Sequence, residues 1–510
     1  MPIPPTSAFS RIVLAAAFLA TGPSDAADPR ASGSGATPGV LEHHHDAARS
    51  GAYVMPSLTW ERARHLHRDP GFHAELTGPV YAQPLYWPLP DSGRALLLIA
   101  TEENLVYALD AETGAAVWKT SLGKAVPRSS LRCGNIDPLG VTGTPVIDPH
   151  ARAIYLDAMV RANPDGAPRH LIFALSLKDG SVLSGWPIDV EAALKASGKT
   201  FNSSVQNQRG ALAIIGDKVY VPYGGHFGDC GDYRGWVIGI SLQSPHTVRS
   251  WATRGRGGGV WAPGGITSDG RALYVTTGNT LGAATWADGE AVIRLDLDLA
   301  FSGRPEDFFA PPDWRQLDAV DADLGATHPL LLTLPSASPS ELVLALGKDG
   351  NAYLLDRHNL GGIGGSVIVK KVSSEPIRTA PAYFVAGNDV LVAFQGRGVE
   401  CPAGASGDLT VLRIRAGSPP ALRVAWCAAE SGKGSPIITT TDGKSDPIVW
   451  AVGAEGDNRL HGFRGDTGAI VFSESAGSEA LPKVRRFQTL IAGGGRLYVA
   501  ADQQIYAFVF

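Results

Sequence analysis

The sequence predicts an all-β chain, a single β-propeller of eight four-stranded blades closed by a strand from the N-terminus. Three observations predict it. Residues 106–118, VYALDAETGAAVW, read as a strand, a tight Asp-Ala-Glu-Thr-Gly turn and a second strand ending in tryptophan. Val106, Ala108 and Leu109 supply apolar strand positions, Asp110 is placed to bond the turn backbone, and Gly114 supplies a left-handed turn position. Degraded copies recur as ALSLKDGSVLSGW at 174–186 and GFRGDTGAIVF at 462–472. A hairpin cannot bury both faces alone, so recurrence at blade-like spacing calls for a radial array of small sheets. Sixty-one glycines and 36 prolines in 510 residues suit many short strands joined by tight turns.

The blades follow in order. The first runs from Val80 (VYAQPLYWP, ALLLIAT, NLVYALD, AAVWKTS) and the second from Val141 (VTGTPVIDP, AIYLDAM, LIFALSL). The third begins near Gly210 (ALAIIG, KVYVPYG, GWVIGIS) and ends around Trp251, and the fourth begins at Gly259 (GVWAPGGIT, ALYVTTG, AVIRLDL). The fifth starts near Leu324 (HPLLLTL, LVLALGKDG, AYLLDR), and the sixth holds TAPAYFV, DVLVAFQ and LTVLRIR. SPIITTT, PIVWAVG, LHGFRG and AIVFSES make the seventh. The last group, FQTLIAG, RLYVAAD and QIYAFVF, lacks a fourth strand. An open edge invites aggregation, so a strand from residues 63–75 is expected to cover it. A count of seven follows instead if the insert at 307–321 interrupts the fourth blade.

Three segments are expected: an export signal at 1–26, a flexible leader at 27–50 and the propeller at 51–510. Arg11 precedes the apolar run IVLAAAFLA, too short to span a bilayer, and Ser24-Asp25-Ala26 offers a cleavage point before Ala27. The expected location is periplasmic or secreted, as a monomer without a transmembrane anchor. His43-His44-His45 read as an unstructured run in the polar leader, against adventitious metal binding. Charged residues make up 18% and the net charge is −5, which gives nucleic acid and anionic lipid no basic surface. Four cysteines in an exported chain imply two disulfides with three possible pairings. Proximity favours Cys401–Cys427, which flank one strand pair, and leaves Cys133–Cys230. The C-x-x-C spacing of zinc sites is absent, as is the C-x-x-C-H of an attached haem.

Four loops carry more polar and aromatic groups than turns require. In the first, 128–142, Arg128, Asn135 and Asp137 face the channel mouth or satisfy their own loop. The second, 206–236, is the densest, with His226, Phe227, Asp229, Tyr233, Arg234 and Trp236 among glycines. His226 beside Asp229 reads there as a proton-transfer or metal pair, against a purely structural loop. The third, 255–265, offers Trp261 as inter-blade packing or as a platform for a planar ring. The fourth, from 321 to 332, places Asp321, Asp323 and His328 just before an innermost strand. Lys348-Asp349-Gly350 beyond it reads as a hairpin turn with a surface lysine. No G-x-S-x-G elbow supports a hydrolase.

The hairpin pattern A-x-D-x-x-T-G-x-x-x-W resembles the repeat of the pyrroloquinoline-quinone (PQQ)-type propellers, over most of the chain after Gly51. That superfamily holds quinoprotein alcohol dehydrogenases and cofactor-free propellers. The resemblance implies PQQ between a tryptophan and a disulfide of adjacent cysteines, a calcium ion held by carboxylate and amide groups, and an aspartate base. On this chain it implies Trp261 as the floor, with Arg128, Asn135, Asp229 and Tyr233 as further cofactor contacts. Asp137 and Asn279 become calcium ligands, with Glu290 another carboxylate, and Asp323 and His226 the proton-transfer groups. Two departures stand out: no two cysteines are adjacent, and no haem domain exists. The implied function is an exported PQQ-type oxidoreductase for an alcohol, polyol or sugar. The alternative is a cofactor-free propeller that binds a protein or carbohydrate partner.

Overall fold

The computed structural model describes residues 1, 2, 39–90, 92–161, 166–473, 480, 481 and 483–510. The export signal expected at 1–26 and the leader up to residue 38 lie outside them, apart from Met1 and Pro2. The described residues form eight sheets, one per blade, in a ring. The first joins Leu85–Pro88, Ala95–Ala100, Leu105–Asp110 and Ala116–Ser121 in antiparallel order. The insert at 307–321 does not break the count. Phe308–Ala310 is the fourth strand of the fourth blade, Gly362–Ile363 extends that sheet in parallel, and the helix Trp314–Val320 follows as an excursion.

The repeated hairpin explains how neighbouring blades hold together. Asp110 Oδ1 accepts the amides of Glu112 and Thr113 at 3.1 and 3.0 Å, and Gly114 takes φ of 77°. Trp118 serves the next blade rather than its own. Its Nε1 donates to the Leu177 carbonyl at 3.1 Å, and its ring lies where a Cβ on Gly180 would come within 2.5 Å. Trp426 does the same at the sixth blade, donating to the Gly465 carbonyl at 2.9 Å and covering Gly468. The tryptophan of one repeat and the glycine of the following one are therefore two halves of a single contact.

The apolar cores lie between blades. Leu96 and Leu98 of the first blade pack with Ile154 and Leu156 of the second, and Tyr155 and Ile172 of the second with Val219 and Val221 of the third. Each buried leucine or valine contributes about 1.5–3 kcal/mol, so no blade is stable until both neighbours are present. The eighth blade, Ile491–Gly493, Arg496–Ala501 and Gln504–Val509, gains its fourth strand from His67–Arg68, with His67 opposite Val509. The expected closing strand is there.

The second half of the expected leader is not flexible. From Val40 to Val54 the chain is a strap along the inner edge of the ring, touching the blades in turn. Val40 pairs with Tyr86 of the first, the Leu41 carbonyl takes the Ile147 amide of the second at 2.8 Å, and Arg49 reaches the Leu212 carbonyl of the third at 2.8 Å. The Ala47 carbonyl takes Ser268 of the fourth, His43 and His44 meet His328 of the fifth, and the Ser50 carbonyl takes Tyr383 of the sixth. Ala52–Val54 then runs parallel to Ile437–Thr440 of the seventh. His43 and His44, expected in an unstructured run, are 2% and 0% exposed.

Both favoured disulfides form, Cys133–Cys230 and Cys401–Cys427. The first closes a span of 97 residues and ties the 128–142 loop to the 226–236 loop. On the loop-entropy argument, Cys133→Ser is expected to cost about 4 kcal/mol in urea unfolding. A loss under about 1 kcal/mol would mean that the two loops are held by their other contacts. No helix among the described residues is long and apolar enough to cross a membrane.

Candidate functional site

Three of the sequence candidates come together at the entry to the fourth and fifth blades. Asp323, 3% exposed, precedes the innermost strand Leu330–Thr333. Its Oδ2 accepts Trp261 Nε1 at 3.1 Å, and its Oδ1 accepts the Asn279 amide at 3.1 Å. Lys348 Nζ lies 2.8 Å from Oδ2 and 5.3 Å from the centre of the Trp261 ring. Burial raises the Asp323 carboxyl above its ordinary range and the lysine opposes that shift. Lys348 is thus no surface turn lysine. Its backbone sits in the expected hairpin, but the side chain folds back between Asp323 and Asp321, where a paired charge is stable under partial burial.

Glu290 stands behind this group, fully buried. One oxygen accepts the Leu324 amide at 2.6 Å and the other, Oε1, has no partner. Burial first, and Asp323 second, push its carboxyl well above the usual range. Asp318, tied to Thr280 at 2.8 and 2.6 Å, adds a third carboxyl with a raised pKa, again through burial. Among the described residues no three His, Cys, Asp or Glu side chains converge as a ready metal cage.

The other candidates are placed differently. His226 is 2% exposed, and burial lowers it to about 4, so it is neutral near pH 7. It forms no pair with Asp229: that carboxylate takes the Tyr233 phenol at 2.5 Å, and only the Asp229 backbone amide reaches the His226 carbonyl. Asp229 sits in a left-handed turn (φ 51°), where its carboxylate accepts the hydroxyl of the buried Tyr233. Arg128 and Asp137 spend their polar atoms inside their own loop. The guanidinium donates to the Gly134 and Leu131 carbonyls, and Asp137 Oδ1 accepts the Arg128 amide at 2.9 Å. Asn135 lines a small pocket with His226, Phe227 and Asn207.

A second pocket was not foreseen. It is lined by Tyr81, Gln83, Thr142, Thr144, Arg209 and Phe487, with Pro263 and the strap's His43. Pro263, two residues beyond Trp261, links it to the Asp323 group. Glu102 stands close by, with its Oε2 accepting the Gly140 amide at 2.7 Å, and burial raises its pKa to about 7. Nothing in ATEENL marks Glu102 as buried. Arg209, in QNQRGALAIIG, lies beside a candidate loop but carries no spacing signal.

The buried hydrogen-bonded pair absent from the sequence reading is His170–Asp157. The His170 ring meets Asp157 at 2.7 Å and the Gln206 carbonyl at 3.0 Å, and Tyr223 donates to the same carboxylate at 2.9 Å. These groups sit thirteen and 53 residues apart, on facing strands of two blades, a relation that sequence spacing does not reveal.

No family model and no curated protein sequence matches the chain. Among solved structures, the quinohemoprotein alcohol dehydrogenase of Pseudomonas putida HK5 is similar with a TM-score of 0.64 at 14% identity, covering 92% of this chain and 80% of its own. That of Comamonas testosteroni gives 0.60 at 17% identity with the same coverage, and a europium-containing methanol dehydrogenase gives 0.60 at 13%, covering 93% and 98%. The chain has the quinoprotein-dehydrogenase fold. In this propeller the Asp323–Trp261–Lys348 group brings together a buried carboxylate, a flat indole and a cation. The cysteine arrangement departs from that expected of the fold's dehydrogenases: Cys133–Cys230 joins two loops and is not a pair of adjacent residues.

Proposed function

We infer that this chain is an exported PQQ-type oxidoreductase acting on an alcohol, polyol or sugar. The observation that carries the reading is Asp323, a buried carboxylate shared by an indole N–H and an ammonium. The residues fit the cofactor in part. Trp261 is half-exposed and can carry a planar ring, while Glu290 Oε1 is a buried carboxylate oxygen with no partner, as a cation ligand would be before loading. Asp323, Glu290 and the Asn279 side chain would hold calcium, a hard cation that takes oxygen ligands. PQQ, when bound, supplies the quinone that takes two electrons from the alcohol carbon.

The chain's own part is acid–base and positional. Lys348 favours the ionised form of Asp323, and burial keeps that carboxylate more basic than an exposed one. Asp323 would accept the proton of the substrate hydroxyl, and the indole and ammonium fix the direction of its lone pairs. Two disulfides in one chain support an oxidising compartment.

Thermal unfolding with and without PQQ and calcium tests binding. A ligand present at about a hundred times its Kd should add about 2.7 kcal/mol. Asp323→Asn is expected to fold and to slow alcohol-dependent dye reduction by about 10²–10⁴-fold. Turnover equal to the parent's would remove Asp323 as the base.

A further inference from the structure

We propose that the pocket at the inner end of the first three blades is an anion site, in which Arg209 receives the carboxylate of a small hydroxylated acid. Arg209 is distinguished by what it lacks. Its neighbours are matched: Arg485 is clamped on Asp502, with Nε 3.0 Å from each carboxylate oxygen, and Arg486 holds Glu455 at 2.7 Å. Arg209 has neither a hydrogen bond nor an ion pair among the described residues. Its guanidinium carbon lies 5.5 Å from the centre of the Phe487 ring, stacked rather than bonded. A guanidinium carries five N–H donors, and none of those on Arg209 meets a protein acceptor among the described residues. A planar, forked cation held over an aromatic face inside a pocket matches the two oxygens of a carboxylate.

The rest of the lining gives the ligand its other half. Tyr81, Thr142 and Thr144 bring hydroxyl groups around the same space, while Gln83, whose amide is tied to the strap at His44 and Glu42, and His43 form part of its wall. Such groups suit hydroxyls rather than an alkyl chain. Glu102, close enough to Arg209 for each to shift the other's proton affinity, is a weak counter-charge because burial already favours its protonated form. Arg209 therefore has no strong internal anion, and an external one completes the site. The recognised group is a carboxylate, and glycolate and glycerate are the simplest hydroxy acids that carry one. The proposal does not need the quinone reading, because its test omits quinone.

The full chain, free of quinone, is titrated calorimetrically with glycolate and glycerate, and with ethylene glycol and glycerol as neutral counterparts. The acids are expected to bind and the neutral diols and triol to be about tenfold weaker or silent. Arg209→Met should lose about ten- to a hundredfold in affinity for the acids. Arg209→Lys, which keeps a point charge without the fork, should fall between and serves if the methionine variant does not fold. Equal binding of glycerate and glycerol, or Arg209→Met binding as the parent does, overturns the site. Absence of glycolate and glycerate binding to the parent also overturns the proposal, and it leaves the Asp323 reading standing.

Discussion

Arg49→Met is expected to destabilise the protein by about 3–5 kcal/mol and to loosen the strap before the blades. The side chain is fully buried and makes four bonds. It donates to the carbonyls of Ile266, His43 and Leu212 at 3.0, 3.0 and 2.8 Å and to Glu42 at 3.0 Å. Methionine matches the volume of the stem and makes none of them, so three carbonyls and a carboxylate lose their donor away from water. The strap would then lose its tie to the third blade and rely on its backbone bonds to the first, second, fourth, sixth and seventh. Hydrogen exchange at Tyr383 and Ile438, whose amides donate to Ser50 and Gly51, should speed up while the outer blade strands keep their protection. Urea unfolding reads the total, and a loss under about 1 kcal/mol would make the strap a passenger.

The ring was legible because its information is local and repeated. Asp110, Gly114 and Trp118 each do a job that short-range chemistry dictates, and the same letters mark the turns at Gly180 and Gly468. The missing fourth strand of the last blade was legible by counting, since a sheet with three strands at the end of a closed ring has one remaining source. The strap was not. LEHHHDAARSG has no apolar period and a polar composition, and the strap is ordered by backbone pairing to five distant blades, by histidine contacts to another and by one buried arginine. Tertiary partners at that separation leave no trace in a local pattern.

The site was half legible for the same reason. Asp323 and Trp261 stood out as polar and aromatic residues at the mouths of innermost strands, and they meet. Lys348 was misread because LGKDGN satisfies a hairpin turn whichever way its lysine points. His226 and Asp229 were paired on three-residue proximity, whereas the carboxylate's partner, Tyr233, arrives from the other side of the turn. Arg209 escaped because the feature that singles it out, the want of a partner, exists only once every other arginine nearby has found one.

Three histidines at the centre of the ring give the other large effect. His43, His44 and His328 are all buried, with ring centres 4.4–6.2 Å apart and Arg49 in the same core. Burial is the first cause of their lowered pKa values, and His44 falls to about 3. An unfolded histidine takes up its proton near pH 6.5, so below that the unfolded chain binds more protons and stability drains away as pH falls. Glu102, Glu290 and Glu430 act in the opposite sense: burial raises their pKa values, and their folded forms gain stability as pH drops. The parent's acid limb is therefore a net of opposing slopes, and a difference between variants isolates the histidine. His44→Gln keeps a neutral polar group that cannot charge. Relative to the parent, its unfolding free energy should rise by about 2 kcal/mol between pH 7 and pH 5, one proton's worth over the interval below 6.5. The gap should stay flat above pH 7, where both histidine states are neutral. Urea titrations at the two pH values decide it: a gap that does not move means that His44 can take a proton in the folded ring, and the strap then holds against acid by contacts other than these.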